Sequence, residues 1–179
     1  MVLALAWMTG GGSVLVGCAD ISLYRLTASE IGQAIDREPG KSPADQAQAH
    51  ERVESYTAAL DHAKDRKFPL SVAAFLVGAA MVVFAQRAMV GREWARGLLV
   101  QLTIAHGVLV GLDYVLLPEV RVAYAAWASL GSELEPSAVL RVLAVATGVS
   151  LLTSGAIVLG LTRRGSLAYC ATVERQSQT

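Results

Sequence analysis

A histidine and an aspartate, His106 and Asp113, stand seven residues apart in an otherwise uncharged stretch, GLLVQLTIAHGVLVGLDYVLL from Gly97 to Leu117, which also holds Gln101 and Thr103. An imidazole and a carboxylate on one apolar segment are the groups a proton relay or an intramembrane ligand site would use, because a charge at mid-membrane costs at least a few kcal/mol and is turned toward a partner or a watery path. At a rise of about 1.5 Å per residue the stretch spans a hydrocarbon layer roughly 30 Å thick, with His106 near its middle and Asp113 near one face. Seven residues also separate the two groups by about 10 Å along the axis, too far for direct contact. The simpler expectation is a neutral His106 bonded to Thr147, Ser150 or Ser154 of the last apolar segment, an interhelical bond worth about 1 kcal/mol. Asp113, followed by Tyr114 and Pro118, is expected near the outer surface, solvated or facing Arg121 or Arg141, and Asp20 is expected to pair with Arg25.

Other chemistries find little support. His50 with Glu54, and His62 with Asp61 and Asp65, form a charged helix side, but the two histidines are twelve apart and no third ligand completes a tetrahedron. No metal site is expected. Only three histidines occur, one of them in an apolar segment, so a haem held by paired intramembrane histidines is unsupported. The two cysteines, Cys18 and Cys170, lie near opposite ends without CxxC spacing, and the topology below sets them on opposite sides of a membrane. Neither a cofactor nor a disulfide is expected. No Ser/His/Asp order, phosphate-cradling glycine loop or carboxylate dyad is present.

Hydrophobic residues make up 54% of the 179 and charged residues 17%, with a mean hydropathy of +0.46, whereas a soluble domain is roughly a quarter charged. That composition predicts an all-α, polytopic membrane protein. Fifteen basic residues balance fifteen acidic ones, which excludes the basic surface a nucleic-acid binder needs.

The elements that must position His106 and Asp113 follow in order. Val2 to Gly17 is a first span, short and interrupted by Gly10, Gly11 and Gly12, which a neighbouring helix must cover. A rival reading takes Leu15-Val-Gly-Cys18 as a lipoprotein cleavage site with lipid on Cys18, although a basic leader is missing. Thr27-Ala-Ser-Glu30 is a capping box opening a short helix that ends at Pro39-Gly40, and Ser42-Pro43-Ala44-Asp45 starts a second helix to about Arg66. Ala49, Val53, Tyr56, Leu60 and Ala63 form its apolar side, so Val53, Tyr56 and Leu60 are a candidate face for the rest of the chain or for another protein. Phe68-Pro69 is expected to break the helix before a second span from Leu70 to Ala85. Small residues on the spans, Ala74 and Gly78, Gly107 and Gly111 of a GxxxG, and Ala146, Ser150 and Ser154, are candidate packing positions. After the third span, residues 118–131 read as an interfacial helix anchored by Tyr124 and Trp127. Val142 to Leu161 is the fourth span, closed by Arg163-Arg164, and 165–179 is a polar tail.

The whole predicts four membrane helices in an up-and-down bundle, with an extramembrane helical hairpin over 25–68 between the first (1–24) and a 69–164 region holding the other three. Arg87, Arg92, Arg96 and Trp94 in one tight turn, with Arg163-Arg164, place both termini in the cytoplasm of a bacterial inner membrane. Lys64, Arg66 and Lys67 argue the other way. Between Arg25 and Lys67, however, seven basic residues meet eight acidic ones, and long loops near neutrality cross largely regardless of charge. The expected function is a non-catalytic structural, accessory or assembly role, with lipid around the chain and a protein partner or second copy on its membrane helices or outer helix. A small transporter or proton-conducting component using His106 and Asp113 is the alternative, and a membrane enzyme acting on lipid or quinone a weaker one.

Overall fold

A computed structural model of the chain describes residues 1–23, 43–129 and 135–162. Among these there is no strand, and five helices take up nearly every residue. They are α1 (Val2–Leu23), α2 (Pro43–Met89), α3 (Glu93–Leu116), α4 (Pro118–Ala128) and α5 (Pro136–Thr162). Four of them, α1, α2, α3 and α5, are long and apolar enough to cross a membrane. Their outward sides agree with that: Leu152 is 76% exposed, Val115 71% and Val145 66%, a degree of apolar exposure that water would penalise at about 25 cal/mol per Å² and lipid would not. The capping box, the short helix after it, Arg25, Arg163-Arg164 and Cys170 lie outside the described residues.

The largest departure from expectation is α2, a single helix of 47 residues, about 70 Å long, that runs straight through Pro69. Proline removes one backbone hydrogen bond and usually ends or kinks a helix. Here Pro69 sits on an exposed side, so the Asp65 carbonyl it leaves unbonded is not entombed. Packing grips the helix on both sides of it. The first half buries Tyr56 and Ala63 against Leu117, Val120 and Ala123 at the start of α4, while Glu51, Glu54, Asp61, Lys64 and Asp65 stay exposed. Arg52 Nη1 reaches Ser129 Oγ at 3.1 Å, and Arg66 Nη2 reaches Glu119 Oε1 at 3.0 Å. The apolar half, from Leu70 onward, packs on α1 and α3. Residues on both sides of Pro69 are thus held by other elements, and that packing outweighs the lost bond.

Helices α1 and α2 approach closely through glycine. A Cβ on Gly10 would stand 2.7 Å from the Gly78 carbonyl oxygen, one on Gly78 would stand 2.8 Å from the Gly10 carbonyl oxygen, and one on Gly17 would meet Phe75 Cβ at 2.9 Å. Only residues without side chains permit such backbone contact, which is how helices gain dispersion energy in lipid. Beyond this crossing, Ala6, Met81, Ala85, Leu99, Ile157 and Leu161 close one end of the molecule as an apolar cluster. The turn from α2 to α3 places Gly91 at φ 86°, a conformation that favours glycine.

Replacing Gly78 with leucine is expected to destabilise the protein by about 1–3 kcal/mol or more through overpacking, read as a lower midpoint in denaturant or thermal unfolding in detergent. Gly11→Leu, where a Cβ meets nothing within 4 Å, should leave the midpoint nearly unchanged; equal effects would show that the crossing is not where the structure puts it.

Candidate functional site

His106 and Asp113 do share one side of α3, because seven residues make two turns of helix to within about 20°. Gln101, five positions before His106, points elsewhere and is exposed. Thr103 is fully buried, its hydroxyl donating to the Leu99 carbonyl at 2.7 Å, so it is spent within its own helix.

The His106 ring is 3% exposed and bridges three helices. Nε2 lies 2.7 Å from Ser13 Oγ of α1, and Nδ1 lies 3.2 Å from Ser154 Oγ of α5. Ser13 Oγ also donates to the Thr9 carbonyl at 3.0 Å. A hydroxyl has one proton, so Ser13 accepts from Nε2–H, and Nδ1 is left to accept from Ser154. The geometry therefore describes a neutral imidazole with both nitrogens satisfied. Ser154 was among the three hydroxyls expected; Ser13 was not, because nothing in the sequence of α1 says which helix it faces.

The carboxylates find a partner that the sequence did not suggest. Lys67 Nζ lies 2.9 Å from Asp20 Oδ2 and 2.8 Å from Asp113 Oδ1, and Ser71 Oγ, one turn further along α2, donates to Asp20 Oδ2 at 3.1 Å. Asp113 is thus neither simply solvated nor paired with Arg121 or Arg141, and Asp20 is held by Lys67. Arg121 is occupied elsewhere, its guanidinium 3.7 Å above the Tyr114 ring with Nη1 donating to the Tyr114 carbonyl. Arg141 turns back to Ser137 of its own helix. The physical reason is geometric: Asp20 ends the first span, Lys67 begins the second, and Asp113 lies near the end of the third, so alternating helix directions bring all three to one level.

At the opposite end a second cation is buried. Arg96, 8% exposed, donates through Nε to the Leu161 carbonyl at 2.7 Å and through Nη2 to the same oxygen. It neutralises the carbonyl end of α5, where the helix dipole is negative. In the sequence it is one of three arginines in a turn, with nothing to mark it as the buried one. Trp94 stands edge-on to Phe84, ring centroids 5.7 Å apart.

The candidate packing positions are used unevenly. Gly78 is buried on Gly10, and a Cβ on Gly107 would meet Ser154 Cβ at an ordinary 3.7 Å, while Gly111 faces open space. Ser154 is buried, Ala74 and Ser150 are half-buried, and Ala146 is exposed. Val53 and Tyr56 are buried, and half-buried Leu60 packs beside Tyr56 against α4, so the chain itself fills the face they offered. Tyr124 meets Tyr56 edge-on at 6.0 Å; the Trp127 side chain lies outside the described residues. Cys18 sits on an exposed side of α1, and no group of three metal-ligating side chains gathers among the described residues.

A cavity of about 630 Å³ runs from the Asp20, Lys67 and Asp113 group to His106, lined by α1, α2, α3 and α5. Its lining reaches no further along α1 and α5 than Thr9 and Thr153, where the apolar cluster around Met81, Leu99 and Ile157 begins. It is a blind recess, with hydroxyls of Ser13, Thr147 and Ser150 among mainly aliphatic walls.

Comparison with protein-family models, with characterised proteins and with solved structures gives no significant match.

Removing the Lys67 charge while keeping its length, as in Lys67→Met, leaves Asp20 and Asp113 facing each other without a cation. Stability should fall by about 2 kcal/mol or more, below the roughly 3–5 kcal/mol of a fully buried pair because Asp113 is partly solvated. Adding Asp20→Asn and Asp113→Asn to the same chain should restore most of the loss in a detergent unfolding titration; a triple variant as unstable as the single one would refute the ion group as the cause.

Proposed function

We propose that the chain is a small integral membrane protein with a non-catalytic structural, accessory or assembly role, its spans forming an up-and-down four-helix bundle around α3. The observation that carries this reading is that His106 and the Lys67 ion group are bonded to other helices of the same chain. His106 uses both ring nitrogens on Ser13 and Ser154, and Lys67 holds both carboxylates. A proton relay or hydrolytic centre needs a group free to exchange a proton with something outside the protein. Here His106 and Lys67 serve as fasteners between helices, worth about 1 kcal/mol or more apiece, and Asp113 is tied to Lys67 through one oxygen.

What such a protein offers to others is its outer surface. The aliphatic side of α5, with Val142, Val145 and Leu152 exposed, faces lipid or the membrane helix of a partner or a second copy. Because Val53, Tyr56 and Leu60 are covered from within, the amphipathic first half of α2 is read as a support for α4 rather than as a docking face. Extraction from native membranes in a gentle detergent, followed by mass spectrometry of the intact complex, should return this chain with a stable partner or with itself. Recovery only as a lone chain would contradict the accessory role.

A second reading, transport through His106 and Asp113, is favoured by the cavity that both of them line. The blind end beyond Thr9 and Thr153 weighs against it, since no lining continues to the other side. Under the first reading, proton or cation flux into proteoliposomes is at background level and does not change in His106→Ala. Flux above background that disappears in that variant would reverse the preference.

For orientation, the arginine-rich turn between α2 and α3 is read as cytoplasmic, with both termini on the same side of a bacterial inner membrane. With the native cysteines replaced, a single cysteine at Ala47 should react with an impermeant thiol reagent outside intact cells and one at Ser177 should not. Reaction of the second alone would invert the topology.

A further inference from the structure

Two cavities meet at the Lys67 ion group. The membrane-level one, about 630 Å³, has Asp20, Lys67 and Asp113 at one end and His106 at the other. The second, about 430 Å³, lies toward α4 and is lined by Tyr56, Tyr124, Leu60 and Val120. Both include Val16, Asp20, Lys67, Asp113 and Leu143 in their walls. We propose that the joined cavities bind a lipophilic organic cation, with its apolar body in the membrane-level recess and its cationic group against Asp113 and Asp20.

Size, lining and charge each narrow the ligand class. Sites for small organic molecules run from about 300 to 1,000 Å³, mostly apolar with a few placed polar groups, and the membrane-level recess fits that description. Aliphatic side chains, Leu70, Leu109, Val110 and Val149 among them, make its walls, so a strongly hydrated ion would lose its water there without replacement. The sign of the charge follows from the ion group itself. One ammonium between two carboxylates leaves a local formal excess of one negative charge, and the Asp113 side chain is 44% exposed, with an oxygen not held by Lys67. A second cation lowers the cost of that excess, whereas an anion raises it. Arg121, the other cation lining the second cavity, keeps its charge but is turned to the Tyr114 ring and carbonyl, so the excess of carboxylate is local to the Lys67 end, where a cationic group would lie. The rings of Tyr56 and Tyr124 line the same cavity as both carboxylates, and aromatic faces attract organic ammonium groups.

The route in is lateral. Helices α1 and α5 press together at Val2 and Gly160, where a Cβ on the glycine would fall 2.7 Å from the valine. Nearer the ion group, Val16 of α1 is 64% exposed although it lines both cavities. The gap between the two helices therefore opens to the membrane, from which a lipophilic cation would arrive. His106 takes no part in holding the charge, because its nitrogens are already satisfied.

The test uses the full chain in phosphatidylcholine nanodiscs and two probes of one shape and opposite charge, radiolabelled tetraphenylphosphonium and tetraphenylborate. Saturable retention of the cation, near one per chain, is expected, with no saturable retention of the anion. Asp113→Asn should weaken cation binding about tenfold or more, the scale of one lost charge-assisted contact. Ala146→Trp, which fills the recess from α5, should abolish it. No saturable cation binding by the wild-type chain, equal retention of both probes, or indifference to both variants would each overturn the proposal. The two substitutions lie on different helices, so if one fails to fold by circular dichroism, the other and the charge comparison still decide.

Discussion

The level at which Lys67 meets Asp20 and Asp113 sets the register of the whole molecule. Charges placed at the edge of a hydrocarbon layer must be matched or solvated, and a single ammonium here answers carboxylates from two other helices at 2.9 and 2.8 Å. A slip of one turn, about 5.4 Å, in any of the three helices would carry a charge out of reach. The unbroken α2 transmits that constraint outward. Arg66, beside Lys67, bonds Glu119, so consecutive residues of one rigid helix tie the membrane part on one side and α4 on another. A break at Phe68-Pro69 would have let both attachments move relative to the apolar half of α2, which packs on α1 through Gly78.

Two further levels hold the spans below the first. His106 connects α1, α3 and α5 at mid-depth, and Arg96 closes the far end by capping α5 at Leu161. Each is a polar side chain whose desolvation is offset by bonds to another helix, the situation in which removing one partner costs more than the bond itself is worth. Between these levels the Gly10 and Gly78 backbones touch, supplying the dispersion contact that apolar burial cannot supply in lipid. Polar bonds fix position along the axes, and glycine contact fixes distance across them.

Much of this architecture could be read from the residues. Composition and uninterrupted apolar runs reveal helices of membrane-spanning length because lipid leaves the backbone few other options. His106 stood out because a lone titratable group in such a run is rare, and Ser154 was within reach by depth alone. The Lys67 group went unread even though its parts were visible. Positions 20, 67 and 113 come together only through the packing of three helices, whereas from the sequence Asp113 is expected to be solvated or to face Arg121 or Arg141, and Asp20 to pair with nearby Arg25. Proline at 69 misled for a related reason: local propensity speaks for one helix turn, whereas the continuity of α2 is decided by partners distant in sequence. Arg96 could not be told from Arg87 or Arg92, since only the end of α5 distinguishes it.

The recess between α1 and α5 follows from the same fastening. Helix α1 is bound to α2 along Gly10, Gly17 and Asp20, and it meets α5 near Val2 and, through the His106 ring, at Ser13. Toward the ion group the two helices bear short side chains on the facing sides, Gly12 and Ser13 against Ala146 and Ser150, all in the cavity wall. Small residues ordinarily draw membrane helices together; here the backbone of α1 is already committed to α2, so the space that larger side chains would have filled stays open. Leucine at Gly12 or Ala146 would narrow it and leave the bonding partners of Lys67, His106 and Arg96 in place, whereas leucine at Ser13 would take away the hydroxyl that His106 Nε2 bonds. The open volume at Gly12 and Ala146 is therefore a property of these particular short residues, not a by-product of holding the helices in register.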